Sequence, residues 1–88
     1  MERLAAADKE AGVSESPLTD EQREAIGEAR RVAVARLAER EILFRDAMKR
    51  VYEPADREKA QQEYQTDRRR IEETRDREVE RVRSKRPL

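Results

Sequence analysis

The sequence predicts an all-α protein: an antiparallel, coiled-coil-like two-helix hairpin carrying a short N-terminal helix or arm. Three observations carry this expectation. Apolar residues recur at helical spacing over the long stretch ending at Pro54, glycine occurs only at Gly12 and Gly27, and residues 55–84 contain neither glycine nor proline. With 88 residues there is room for one domain, and a chain this short buries a small fraction of its surface.

The N-terminal unit is expected over residues 1–17. Leu4, Ala5, Ala6, Ala7 and Ala11 are good helix formers, and Gly12 suits the position just past a helix end. Val13 to Pro17 then reads as a linker, since its serines and proline oppose helix continuation.

The hairpin is expected over 18–84. Thr19 is a suitable N-cap, Asp20 and Glu21 sit where the helix dipole favours negative charge, and Gln22 at N3 completes a capping box. The first long helix is predicted from about 20 to 53. Ile26, Ala33, Leu37, Leu43, Phe44, Met48 and Val51 fall on one side of it, flanked by Ala25, Ala29 and Ala47.

Pro54 places the turn, because proline disfavours helical geometry in Glu53 and lacks the donor a preceding turn needs. It also suits N1 of a second helix over about 54–84, with Glu53 at the cap and Asp56 supplying negative charge to the new N-terminus. Residues 85–88 remain as a tail. Helices of similar length joined by a short connection favour antiparallel pairing; the alternative is one long helix bent at Pro54.

The two helices are mismatched. The second offers a thin seam of Ala60, Tyr64, Ile71, Val79 and Val82, interrupted by Arg68 and Arg75. At ~25 cal/mol per Å², leaving Leu37, Leu43, Phe44 and Met48 wet forfeits a few kcal/mol, a large share of a small domain's stability. The face from Ile26 to Val51 is therefore expected to meet protein: the Leu4 segment, another helical protein, or a second copy forming a four-helix bundle. A homodimer requires no unseen partner. Arg40, near the centre of the stripe, is expected to snorkel or to pair with a carboxylate of the facing helix; alternatively it selects register or partner.

Charged residues make up 48% of the chain, yet its 21 basic and 21 acidic residues cancel, which argues against a nonspecific nucleic-acid binder. The only basic bias is C-terminal, where Arg81, Arg83, Lys85 and Arg86 are candidates for contact with phosphate or an acidic surface. The run Arg68-Arg69-Arg70 is diluted by Asp67, Glu72 and Glu73 and reads as a solvated face.

Histidine and cysteine are both absent, which removes the commonest general base, the thiolate nucleophile and the favoured zinc ligands. No phosphate-binding glycine motif is present either. Glu72, Asp76 and Glu80 share a helical face, but neighbouring arginines compete for them. The expectation is a non-enzyme with no catalytic residues, metal, cofactor or small-molecule substrate. No run approaches the ~20 apolar residues needed to cross a bilayer, and the first eight residues lack the basic start and apolar core of a signal peptide. A cytoplasmic protein without membrane contact is expected.

Two local resemblances add to this. Glu53-Pro54-Ala55-Asp56-Arg57, followed by a Glu/Arg-rich helix, resembles the coiled-coil tip of DksA-type RNA polymerase secondary-channel factors. The resemblance implies a transcription regulator whose hairpin enters the polymerase channel, with Glu53 and Asp56 as the acidic tip residues. Glu58 stands where that family carries alanine, and the family's cysteine-ligated zinc region has no counterpart. Leu18-Thr19-Asp20-Glu21-Gln22 is similar to the LTxxQ motif of Spy/CpxP-type helical chaperones, here as a single copy that a capping box also explains.

Overall fold

The computed structural model describes residues 17–85. They form two helices, α1 (Asp20–Met48) and α2 (Pro54–Ser84), packed against each other with no strand among the described residues. The start of α1 touches the end of α2, and Phe44 late in α1 meets Tyr64 early in α2, so the pair is an antiparallel hairpin rather than one bent helix. Most of the expected N-terminal helix and linker, residues 1–16, lies outside the described residues, as do residues 86–88 of the tail.

The capping box forms as its residues predict. Thr19 Oγ1 accepts from the Gln22 amide at 3.0 Å, while Gln22 Oε1 accepts from the Thr19 amide at 2.9 Å. Two of the four orphan donors at the helix start are thereby satisfied, with Asp20 and Glu21 adding favourable charge.

At its other end α1 stops at Met48, short of the expected position 53. No strong helix breaker occurs between Met48 and Pro54, and the end is marked instead by a tightened turn and by contacts from α2. The Lys49 and Arg50 amides bond to the carbonyls of Asp46 and Ala47, tightening the last turn. Arg57 Nη1, from the first turn of α2, donates to the carbonyls of Met48 at 2.9 Å and Val51 at 2.8 Å. One guanidinium thus collects two carbonyls that the ended helix leaves open, and its positive charge suits a helix C-terminus.

α2 begins where proline dictates. Glu53 is extended (φ −69°, ψ 130°), Pro54 opens the helix, and Asp56 is the acid of the first turn. The Glu53 side chain makes no capping bond, so its part in the turn is conformational.

The seam between the helices is thin. Ile26, Ala33 and Val82 are the buried hydrophobic residues, and no described side chain is completely enclosed. Toward the tip, Phe44 stacks on Tyr64 with centroids 4.3 Å apart and planes 7° from parallel, and the Arg68 guanidinium lies 5.7 Å from the Tyr64 centroid. Each contact contributes on the order of 1 kcal/mol beyond the area it buries. Exposed ion pairs, such as Arg45 with Glu41 and Arg50 with Asp46, decorate the outer faces and add little individually.

Candidate interaction surface

Gln22 and Arg57 hold opposite ends of the hairpin by the same chemistry. Besides closing the capping box, the buried Gln22 amide donates from Nε2 to the carbonyls of Val82 at 3.0 Å and Lys85 at 2.6 Å. It therefore serves the N-terminus of α1 and the C-terminus of α2 together. All buried side-chain nitrogen and oxygen atoms of the described residues are hydrogen-bonded. Burying these polar groups costs little net, because each has a partner.

The hydrogen bonds hold the ends, but the apolar surface between them is incompletely covered. Of the seven residues expected to form an interaction face, Ile26 and Ala33 are buried in the seam. Leu37, Phe44, Met48 and Val51 are half-buried, and Leu43 is 53% exposed. Most of that face is thus spent inside the hairpin. One step around α1, the exposed Val32 and Leu43 and the half-buried Ala25, Ala29 and Ala47 form a second stripe at helical spacing.

Two grooves follow this stripe along one side of the hairpin. The first, of about 380 Å³, has Ala25, Ala29, Val32, Ala33 and Ile71 as its apolar lining, with Arg36, Arg75 and Glu78 among its charged rim. The second, of about 160 Å³, continues toward the tip with Leu43, Ala47 and Ala60, bounded by Arg40, Glu63 and Asp67. Val32, 37% exposed, and Leu43 are the large apolar groups this side presents to solvent. Val34, Ile42 and Tyr52 are also exposed, away from this stripe; Ile42 was not singled out by the sequence pattern.

Arg40 is exposed, as a snorkelling side chain is, and sits beside Glu63 and Asp67 without an ion-pair partner among the described residues. The seam arginines behave differently. Arg68 is half-buried over Tyr64 and lies 4.0 Å from Glu72, while Arg75 bonds Asp76 at 2.9 Å. That bond, with the charges of Asp76 and Glu72, raises the Arg75 pKa.

At the tip, Glu53 and Asp56 are both exposed on a turn anchored by Arg57. At the opposite end, Arg81, Arg83 and Lys85 are exposed, and Arg86 lies outside the described residues. Arg81 is already engaged: it donates from Nε and Nη2 to both carboxylate oxygens of Glu78. This hydrogen bonding, reinforced by the charges of Arg81 and Lys85, holds the Glu78 carboxyl below its ordinary value. The backbone carbonyl of Lys85 is occupied by Gln22. Among the described residues there is no acidic cluster placed to hold a metal ion, and no helix long and apolar enough to cross a membrane. Comparison with family models, curated proteins and solved structures finds no match to this chain.

Proposed function

We propose that this protein is a non-catalytic helical interaction module that self-associates through the open side of its hairpin. The supporting observation is the imbalance between seam and surface: Ile26, Ala33 and Val82 are buried, while Val32 and Leu43 remain exposed, each lining one of the two grooves. Burial at ~25 cal/mol per Å² makes covering that side favourable, and helix pairs of this kind complete their cores by bundling. Replacing Val32 and Leu43 together with serine tests the reading. Sedimentation equilibrium is expected to show association in the parent chain and its loss in the variant. Unchanged association in a variant that keeps its helicity would rule out this surface.

A second reading rests on the tip. The exposed carboxylates of Glu53 and Asp56, held at the end of a narrow hairpin, support a transcription regulator that inserts this tip into RNA polymerase. Reversing both charges to lysine is expected to abolish polymerase binding while leaving circular dichroism unchanged. Binding that survives the double reversal contradicts that reading.

A further inference from the structure

We infer that the occupant of the open side is a second copy of this chain, packed antiparallel about a two-fold axis that crosses the hairpin between Leu37 and Ala38. The inference rests on the self-association proposed above and deepens it by assigning a register.

Val32 and Leu43 lie about three helical turns apart on the same stripe, so a second stripe running the other way can place each Val32 against its partner's Leu43. The charges select the same axis. Phe44 stacked on Tyr64 and Gln22 bonded to Val82 set the antiparallel register of α1 and α2. In that register Arg75 lies level with about Val32, Asp67 with about Arg40, and Glu63 with about Leu43; the groove linings group the residues in the same way.

The separations Val32 to Leu43, Arg75 to Glu63 and Arg36 to Asp67 are consequently centred on one level of the hairpin. A two-fold axis there lays like helices on each other, puts Arg75 opposite Glu63 of the other copy, and brings Arg36 and the other copy's Asp67 to one level diagonally across the interface, each pairing occurring twice. Arg36, Glu63 and Asp67 have no ion-pair partner within their own described chain, so these contacts do not require dismantling existing pairs of theirs. Arg75 must share or leave Asp76, an exposed bond of small worth. A two-fold parallel to the helices instead lays α1 on the partner's α2 and sets Val32 against Arg75 and Leu43 against Glu63, apolar groups against charged ones.

Mixing chains tests this arrangement without help from contacts inside one hairpin. Arg36→Glu and Asp67→Lys are each expected to weaken self-association by about tenfold or more, because each brings like charges together twice. An equimolar mixture of the two variants is expected to recover much of the lost affinity as heterodimer, read by sedimentation equilibrium with circular dichroism as the control for folding. The chain has no cysteine, so Val32→Cys and Leu43→Cys chains give a second readout: under oxidation the mixture should cross-link far more than either alone.

A parent chain that stays monomeric at every concentration overturns both the inference and the self-association on which it rests. Association that ignores the charge changes, with no cross-linking preference in the mixture, overturns the register alone. If removing residues 1–16 converts a monomer into a dimer, the N-terminal segment is the natural occupant of this side and the inference is wrong.

Discussion

The Gln22 side-chain amide donates to the Val82 main-chain carbonyl across 3.0 Å while its oxygen accepts from the Thr19 amide, so one residue caps two helix ends. The capping box alone is satisfied by glutamate as well as glutamine. The contact with Val82 and Lys85 is not, because a carboxylate has no hydrogen to donate and meets two carbonyl oxygens. Gln22→Glu is therefore expected to destabilise the hairpin by about 2 kcal/mol, by loss of one buried and one part-buried bond and by oxygen–oxygen repulsion. Equal urea midpoints for parent and variant would show that the bond to α2 contributes nothing.

Arg57 gives a matching prediction at the tip. Removing its guanidinium by Arg57→Ala leaves the Met48 and Val51 carbonyls without their donor and is expected to cost about 1.5–3 kcal/mol, the range for hydrogen bonds from charged groups. Arg57→Lys should recover part of this, since an ammonium reaches fewer acceptors in a fixed geometry. Thermal unfolding measures both. Faster amide exchange around Lys49 and Arg50 in the alanine variant locates the effect at the end of α1.

These two residues also mark how far the sequence could be read. The capping box was legible because Thr19 and Gln22 are near neighbours, and the start of α2 was legible because Pro54 restricts both itself and Glu53. The second half of Gln22's role was not, since Val82 enters only once the antiparallel register exists. The end of α1 differs from local spacing in a similar way: spacing alone carries the helix on to Glu53, whereas it ends at Met48, where Arg57 from across the turn takes the Met48 and Val51 carbonyls. The uneven distribution of apolar surface was visible in the mismatch between the two stripes. Which residues stay open was not, because Leu37, Phe44 and Met48 are partly covered by packing that brings Tyr64 onto Phe44 and leaves Leu43 beside the seam.

Gly27 offers a stabilising change away from the open side. It lies within α1 at ordinary helical geometry, and an added Cβ meets only the flexible Arg31 guanidinium, at 3.4 Å. Gly27→Ala is expected to raise stability by about 0.8–1 kcal/mol through helix propensity and to leave self-association unchanged. A lower melting temperature would mean that the Arg31 side chain cannot give way.

Acid should loosen the hairpin through Glu78. Its carboxyl is held below the ordinary value of 4.5 by the hydrogen bonds from Arg81. A carboxyl whose folded pKa is depressed stabilises the fold above its unfolded value, and that contribution disappears as pH falls through the folded one. Melting temperature is accordingly expected to hold from neutral pH down to about pH 5 and to drop below it, with a smaller drop in Glu78→Gln. Because this pair is solvent-facing, the change is small. Identical pH profiles for the two chains would remove Glu78 from the account.

Sedimentation equilibrium of the full chain over a wide range of concentration addresses self-association most directly. The open side carrying Val32 and Leu43 predicts a mass that rises from 10.4 kDa toward twice that value as concentration increases. A fully helical species that remains at 10.4 kDa throughout would contradict it.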